Sequence, residues 1–159
     1  MIKEEAMDIY ERLKESGIVL PQAAKAMGLY VPVKITGNLA YVSGQGPMVD
    51  GKPVCTGKVG RDVSLEQAQA AAKQIALNTI ALLHEYTGDL NRVKSVVKVL
   101  GFVASAPGFG EQPAVINAYS QALIDVFGEN GRHARSAIGA NELPLDISVE
   151  IESIFELHT

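Results

Sequence analysis

Two side chains near the end of the sequence, an arginine and a glutamate, are of types that can form the floor of a polar pocket. Arg135 lies near the start of the small, apolar stretch ARSAIGA, and Glu150 lies within the alternating stretch DISVEIESIF. A guanidinium holds a carboxylate through two parallel hydrogen bonds, which lysine cannot do. A carboxylate can orient or deprotonate a water molecule. The pair therefore predicts either the floor of a pocket or a surface ion pair, which would contribute little to stability.

Both side chains lie in segments that predict β-strands, over 134–140 and 146–155, with the turn sequence NELP between them. Successive side chains of a strand point to opposite faces of a sheet, so Glu150 and Glu152 point away from the apolar side chains of their strand. If the two strands form a hairpin around this turn, Arg135 and Glu150 lie near the same end of it. We interpret Glu152 as a solvated or structural side chain.

The other elements follow from apolar spacing, cap residues and glycine stops. Ser64 and Gln67 have the spacing of a capping box at the start of the clearest helix, and Gly88 and Gly128 end the two long helices. Pro32 indicates that the first strand lies at a sheet edge or is irregular at that point. The predicted elements are a helix over 2–16, a hairpin over 30–44 that turns at Gly37-Asn38, a helix over 64–86, a strand over 93–105 and a helix over 113–127, with glycine-rich loops at 43–62 and 106–112.

This order of elements is typical of an α+β fold in which helices pack on one face of an antiparallel or mixed sheet. The strand over 93–105 is mostly apolar, which places it inside the sheet. No further long helix remains to cover the second face of the sheet. We expect that this face is buried between subunits, because contact with another copy would remove it from water.

Length and composition fit one domain over 1–159 with one sizeable core. Apolar residues make up 47% of the chain, charged residues 20%, and the formal net charge is −4. Neither a basic surface for nucleic acid nor a membrane-spanning run is predicted. Cys55, the single cysteine, is interpreted as an incidental free thiol and favours a reducing compartment. Because the charged N-terminus lacks the apolar core of a signal peptide, we expect a cytoplasmic protein.

Other reactive side chains lack partners at a supportive spacing. His84, His133 and His158 are scattered along the chain, and no pair has metal-ligand spacing, so no metal site is predicted. No histidine accompanies Ser43 as the base for a serine nucleophile. His133 lies two residues from Arg135, so it either lines the rim of a pocket there or has no functional role.

Four stretches of the sequence, in this order, resemble motifs of the Rid family, whose members are also called YjgF-like or endoribonuclease L-PSP proteins. The resemblance covers roughly residues 28 to 157, so that 1–28 is an N-terminal helical extension. The stretches are YVSGQGP (41–47), NAYSQAL (117–123), HARSAIGANELP (133–144) and ISVEIESI (147–154).

The resemblance implies a chorismate-mutase-like α+β fold with two long helices on one face of the sheet. It also implies a homotrimer whose three sheets form an inner β-barrel, with a pocket for a small-molecule carboxylate at each subunit interface. Deaminating members of the family hydrolyse reactive enamines and imines such as 2-aminoacrylate to a 2-keto acid and ammonia. No metal or organic cofactor is implied, because an imine carbon is already electrophilic and needs only a held carboxylate and a placed water.

The resemblance assigns seven positions of this chain to the pocket. Arg135 would bind the substrate carboxylate, and Glu150 would orient or activate the hydrolytic water. Ala137 stands where many deaminating members have a cysteine, so its backbone but no thiol could contact a ligand. Asn117 would either line the pocket or bond to backbone. The residues that would line the pocket are Ser43, Gly44, Asn117, Ala137 and, contributed by a neighbouring subunit, Tyr30.

Two functions are consistent with these residues. One is an enamine/imine deaminase, and the other is a protein that binds or senses a 2-keto acid without turnover. The alanine at 137 and the long loop at 48–62 favour the second function. Ribonuclease action, a label that some members carry, is disfavoured because the chain has neither a basic patch nor a histidine pair for cleaving RNA.

Overall fold

The centre of the molecule is a five-stranded mixed sheet with helices packed against it. The computed structural model describes residues 8–159. In chain order the elements are α1 (Ile9–Glu15), β1 (Val33–Thr36), β2 (Leu39–Gln45), β3 (Met48–Val49), β4 (Lys52–Pro53), α2 (Leu65–Thr87), β5 (Val93–Ala104), α3 (Gln112–Phe127), β6 (Ala134–Ala140) and β7 (Val149–Leu157). The large sheet has the strand order β1-β2-β7-β5-β6, and β3 pairs with β4 in a small separate ribbon.

Local sequence signals set the ends of the long helices, as predicted. The Ser64 hydroxyl accepts a hydrogen bond from the Gln67 amide, and the Gln67 side chain accepts one from the Ser64 amide, which completes the capping box. Gly88 ends α2 with a φ of 76°, in the left-handed region that glycine adopts without strain. The first hairpin turns at Gly37-Asn38, and Pro32 precedes β1, which is an edge strand.

Helices α2 and α3 cover one face of the sheet and form the core with it. Gly101 of β5 lies so close to α3 that a Cβ atom there would stand 2.5 Å from Cδ1 of Ile116. Fully buried Tyr119 of α3 donates a hydrogen bond of 3.1 Å to the hydroxyl of Ser153 on β7. These contacts identify the helix-covered face as the one that carries Val99, Gly101 and Ser153.

The opposite face of the sheet, which we call the open face, carries apolar side chains that remain exposed. Tyr41 pairs with Ile154, and Ile138 pairs with Phe102, which itself pairs with Glu150. Tyr41 and Ile138 are 42% and 46% exposed. Within residues 8–159, the second face of the sheet is therefore left without the cover that the first face receives.

The hairpin that the sequence allowed between β6 and β7 does not form. Strand β6 pairs in parallel with β5, and β5 lies between β6 and β7. A parallel connection needs a crossover, and α3 supplies it between β5 and β6. The segment 141–148 then crosses the end of β5 to reach β7. Ser148 is buried there and donates a hydrogen bond of 2.7 Å to the carbonyl of Gly57.

The N-terminal segment is helical over only part of its predicted length. Of the helix predicted over 2–16, the structure shows α1, and residues 2–7 lie outside the described residues. Residues 18–28 form neither a helix nor a strand, and the chain bends at 27–28. Tyr10 anchors α1, since its hydroxyl accepts a hydrogen bond from the Leu90 amide and pairs with Nδ1 of His84 at 3.0 Å. No helix between residues 8 and 159 has the length and apolar character to cross a membrane.

Candidate functional site

Four of the seven predicted site residues line one cavity of about 590 Å³ at the end of the β2–β7 pair. Tyr30, Ser43, Gly44 and Glu150 surround it, and Glu152 lies on the same wall. The remaining wall is largely apolar. It includes Met27, Pro32, Met48, Leu145 and Ile147.

Glu150 approaches Gly44 closely, so a Cβ atom at position 44 would require its side chain to shift by a few tenths of an ångström. A Cβ atom at Gly44 would stand 3.0 Å from Cδ of Glu150 and 3.3 Å from its Oε1. Half-burial raises the pKa of Glu150 above its ordinary value of 4.5, and the charge of Glu152 raises it further. No side chain between residues 8 and 159 donates a hydrogen bond or forms an ion pair with Glu150, so its carboxyl group is available to a ligand or a water.

The loop that carries Met48 is held against α2 by a buried asparagine. The side-chain amide of Asn78 donates to the carbonyls of Met48 and Gly46, at 3.0 and 3.3 Å, and its oxygen accepts from Gln74. These three bonds fill most of the capacity of the amide. They fix one wall of the cavity to the longest helix of the fold.

The segment before β1 forms another wall of the cavity. Tyr30 folds back over Gly28, and its hydroxyl accepts a hydrogen bond of 3.3 Å from the Met27 amide. This contact places the phenol ring and Met27 side by side at the cavity mouth. The N-terminal extension therefore contributes directly to the shape of the site.

The rim of the cavity also contains an unusual backbone conformation. Leu145 and Asp146 have φ values of 58° and 56°, in the left-handed region that costs a non-glycine residue about 1–3 kcal/mol. Backbone hydrogen bonds hold both residues there. Asp146 and Ile147 donate to the carbonyls of Leu143 and Pro144, and the carbonyl of Asp146 accepts from the Gly57 amide.

Arg135 is held by α3 and does not reach into this cavity. Its Nη1 donates to Oδ1 of Asn117 at 2.9 Å and to Oγ of Ser120 at 3.1 Å, and its Nη2 lies 3.4 Å from the carbonyl of Pro113. Asn117 therefore contacts Arg135 and not helix backbone through its oxygen. Nε of Arg135 donates to no group within residues 8–159.

His133 supports the same arginine through Ser120. Its Nδ1 lies 2.7 Å from the carbonyl of Gly131, which can only accept, so Nδ1 carries the proton. In the neutral ring Nε2 then accepts from the Ser120 hydroxyl at 2.9 Å, and that hydroxyl accepts from Arg135. Burial lowers the pKa of His133, and the nearby charge of Arg135 lowers it further, although the bond to Gly131 opposes them.

The two predicted catalytic residues thus lie on opposite faces of the sheet. Arg135 pairs with Val99 on the helix-covered face, whereas Glu150 pairs with Phe102 on the open face. Ala137 lies on the same face as Arg135, where it packs against the core. The expectation that a hairpin brings Arg135 next to Glu150 is therefore wrong, because β5 separates their strands.

Within one chain the predicted residues form two groups, each with half of the required chemistry. The cavity group has an acid that can exchange protons, and the Arg135 group has a positioned cation. Neither group resembles a metal site, since no three histidine, cysteine, aspartate or glutamate side chains in residues 8–159 are placed to hold an ion.

Three residues that the sequence analysis missed contribute to these groups. Ser120 lies one helical turn after Asn117, so the spacing of three residues could have placed both on one face of α3. Asn78 could have been noticed as a polar residue within the apolar face of α2. Leu145 carried no signal, because positive φ is uncommon for a bulky non-glycine residue and its residue type does not indicate it.

Comparison with known proteins identifies the family of the chain. Residues 10–156 match the profile of the family described as "YjgF/chorismate_mutase-like, putative endoribonuclease". The chain belongs to this family. Its fold, a mixed sheet with three helices, is accordingly the chorismate-mutase-like YjgF fold, as the resemblance implied.

The relatives include an enzyme and a protein of unknown function. The chain is 42% identical to protein TCP17 of Trypanosoma cruzi over 147 residues, which is 92% of each chain. It is 48% identical to Atu1372 of Agrobacterium tumefaciens, a protein of unknown function whose crystal structure superposes with a TM-score of 0.86 over 97% of this chain and 94% of the other. It is 33% identical to the 2-iminobutanoate/2-iminopropanoate deaminase of Salmonella typhimurium, covering 86% of this chain and 94% of that enzyme.

Proposed function

We propose that this chain is an enamine/imine deaminase that converts small carboxylate-bearing intermediates into 2-keto acids and ammonia. The observation that carries the proposal is Glu150, an unpaired and half-buried acid with a raised pKa in the wall of a cavity. A carboxyl group in this state holds its proton more tightly than an ordinary glutamate and is suited to exchange protons with a substrate. Family membership and the deaminase relative support the same chemistry.

In the proposed reaction, protonated Glu150 first gives its proton to the imine nitrogen, and the resulting carboxylate accepts a proton from a water molecule whose oxygen forms a bond to the imine carbon. The adduct carries a hydroxyl group and an amino group on one carbon. Glu150 then returns this proton to the amino nitrogen, the C–N bond breaks and ammonia leaves, while the hydroxyl passes its proton back to Glu150 and becomes the carbonyl of the keto acid. An enamine first takes up a proton on carbon to become the imine. Imine and water thus give keto acid and ammonia without an oxidant.

Arg135 has the role of binding the substrate carboxylate in this proposal. Asn117 and Ser120 hold its Nη1, so the guanidinium is oriented before a ligand arrives. Its Nε and the second hydrogen of Nη2 remain for the paired hydrogen bonds that a carboxylate accepts. An oriented arginine loses little side-chain freedom on binding, which favours recognition of a small ligand.

The separation of the two groups leads to a proposal about assembly. Because Arg135 and Glu150 of one chain lie on opposite faces of the sheet, one substrate meets both only where the Arg135 edge of one copy faces the cavity of another. Contacts of this head-to-tail kind close into rings. We propose a homotrimer in which the open faces meet and each interface contains one complete site.

A mixing experiment with two inactive variants tests activity and assembly together. Arg135→Ala removes the carboxylate contact, and Glu150→Gln removes the acid, so each variant alone should lose imine hydrolysis. Co-expressed in equal amounts, they should regain about a quarter of wild-type activity, because one interface in four would combine an intact Arg135 with an intact Glu150. The assay follows ammonia release from an imine generated in place by an amino-acid lyase.

The outcomes of this experiment are distinct. Co-expression of Arg132→Ala with Glu150→Gln provides the control. Every copy then keeps Arg135, so activity should remain in proportion to the copies that keep Glu150. If single variants are inactive and the mixture stays inactive although the copies exchange, the site does not lie between copies. If wild-type protein binds a 2-keto acid but hydrolyses no imine, the deaminase proposal is wrong and the binding function takes its place.

A further inference from the structure

The groups that hold Arg135 in place are all electrically neutral. Its guanidinium donates to the amide oxygen of Asn117 and to the hydroxyl of Ser120, and its Nη2 lies 3.4 Å from the carbonyl of Pro113. No carboxylate within residues 8–159 forms an ion pair with it. An acidic partner would balance the positive charge and compete with a bound anion. Neutral partners orient the guanidinium and leave its charge for a ligand.

Ser120 accepts from Arg135 only while its own hydroxyl proton points elsewhere. A serine hydroxyl has one proton and two lone pairs, and it rotates to suit its surroundings. In a helix this proton often bonds to the carbonyl four residues earlier, which here belongs to Ile116. Oγ of Ser120 also lies 2.9 Å from Nε2 of His133. A proton donated to Nε2 cannot point at Nη1, so a lone pair of Oγ remains for Arg135.

The backbone decides which ring nitrogen of His133 is the acceptor. Nδ1 lies 2.7 Å from the carbonyl of Gly131, so Nδ1 carries the proton and Nε2 of the neutral ring accepts. Gly131 is itself fixed against α3, because a Cβ atom there would stand 2.5 Å from the carbonyl oxygen of Leu123. Burial lowers the pKa of His133 and thereby favours the neutral ring. The hydrogen bonds from Arg135 to Gly131 therefore all run in one direction.

We infer that His133 is a positioning residue for Arg135 and acts through Ser120. Its neutral ring, with the proton on Nδ1, accepts the hydroxyl proton of Ser120 and so keeps a lone pair of Ser120 directed at Nη1 of Arg135. The inference rests on the proposed role of Arg135 in binding the substrate carboxylate. It adds that this binding depends on a histidine that shares no hydrogen bond with the arginine.

Ser120→Ala and His133→Ala should each weaken carboxylate binding more than they slow the chemical step. A ligand must then order Arg135 itself, and ordering one long side chain costs about fivefold in affinity. We expect about a fivefold rise in Kd for pyruvate, measured by calorimetry, and in KM for an imine made in place by an amino-acid oxidase, with kcat changed less than about twofold. Ser120→Thr keeps the hydroxyl and His133→Gln keeps an acceptor, so both should restore Kd and KM.

The double variant shows whether the two residues act in series. Without the Ser120 hydroxyl, His133 has no contact through which to affect Arg135, so Ser120→Ala/His133→Ala should bind pyruvate as Ser120→Ala does. Independent effects would multiply to about twenty-five-fold. Gln121→Ala is the matched control, because Gln121 is exposed on the same helix and its side chain donates to Asp125. Its Kd for pyruvate should equal that of wild type.

Nitrogen NMR of the His133 ring tests the same inference without any ligand. We expect a neutral ring with the proton on Nδ1 in wild-type protein and also in Ser120→Ala, because the carbonyl of Gly131 is present in both. A proton on Nε2 would make His133 a donor to Ser120 and would overturn the inference. This spectrum and the Ser120 variants decide the matter even if His133→Ala does not fold, since alanine is the best helix former at position 120.

The results separate this inference from the function on which it rests. If wild-type protein neither binds pyruvate nor hydrolyses an imine, the proposed role of Arg135 fails and the inference falls with it. If it binds pyruvate without hydrolysis, the deaminase proposal fails, and the Kd values still decide the inference. If wild type is active and either Ser120→Ala or His133→Ala binds pyruvate as Gln121→Ala does, or if the double variant shows multiplied effects, only the inference is wrong.

Discussion

At the scale of single residues, the surroundings of Glu150 suit the proposed reaction but lower the stability of the folded chain when the carboxyl group is ionised. Its position near Gly44 and beside Glu152 favours the protonated form, because burial and a neighbouring negative charge both disfavour ionisation. Above the ordinary carboxyl pKa of 4.5, the unfolded chain releases this proton more readily than the folded one. The charge that the proposed reaction needs is therefore a cost to folding.

We expect Glu150→Gln to be more stable than wild type at neutral pH. The folded pKa is raised, so the contribution of Glu150 to stability is present below the unfolded pKa and is lost as pH rises through the folded pKa. The melting temperatures of wild type and variant should coincide near pH 4 and separate as the pH rises to about 8. Thermal unfolding across this range measures the difference.

Glu152→Gln is a second variant for the same prediction. The charge of Glu152 is the smaller of the two causes of the raised pKa, so its removal should stabilise the protein in the same direction by less. Parallel stability curves for wild type and Glu150→Gln over the whole range would contradict this account. Imine hydrolysis should be lost in Glu150→Gln even where its stability is higher.

Gly44→Ala tests the close approach of backbone and acid. The added Cβ would stand 3.0 Å from Cδ of Glu150, so the carboxyl group must move. Because a small displacement of a catalytic group is costly, we expect kcat to fall about tenfold or more. Gly110→Ala is the control, since a Cβ there meets nothing within 4 Å. Equal kcat values for the two variants would show that the position of Glu150 against Gly44 is not important.

At the scale of elements, one buried amide connects the longest helix to the wall of the cavity. Asn78 of α2 donates two hydrogen bonds to the loop that leads into β3. In the unfolded chain, water donates a hydrogen bond to such a carbonyl. If the carbonyl is buried and loses the donor from Asn78, it has no partner, and the loss lowers the free energy of unfolding. The rigid helix therefore sets the position of Met48, which no local sequence signal would do.

We expect Asn78→Asp to destabilise the protein by about 1–3 kcal/mol, because the new carboxylate keeps the shape of the amide and removes its donor. Chemical denaturation measures the change. Asn141→Asp makes the same replacement at an exposed residue whose oxygen accepts from Lys58, so its effect should stay within about 0.5 kcal/mol. A loss as large in the control would show that the buried hydrogen bonds of Asn78 are not the cause.

At the scale of the whole molecule, the two faces of the sheet have different roles. The helix-covered face holds the core and the Arg135 group, and the open face holds Glu150 beside exposed apolar side chains. An apolar sheet face in contact with water is unfavourable. The proposed trimer would bury this face and complete the site by the same contact, so assembly and activity should be lost together.

Ile138→Asp tests this link between assembly and activity. A charge on the open face resists burial, so we expect the variant to sediment as a smaller species and to lose imine hydrolysis while its helix content remains. Val19→Asp is the control, because Val19 is apolar and 85% exposed but lies in the N-terminal connector. Full activity in a dissociated Ile138→Asp protein would contradict a site formed between copies.

The amino-acid sequence alone was sufficient for those features that depend on local pattern. The capping box at Ser64, the glycine stops at Gly88 and Gly128, the hairpin at Gly37-Asn38 and the edge position after Pro32 all agree with the structure. Each follows from the conformational preferences of a few adjacent residues. The order of the four motifs was likewise enough to indicate the family, which the comparison confirms.

Only the tertiary structure decided which strands pair and hence which residues can meet. Two adjacent predicted strands suggested a hairpin, but β5 provides a partner for both β6 and β7, and α3 supplies the crossover. Strand pairing depends on burial of the whole sheet and not on the turn sequence NELP alone. For that reason Arg135 and Glu150 lie on opposite faces, Gly44 meets Glu150, and Asp146, next to Leu145, is held by the amide of Gly57.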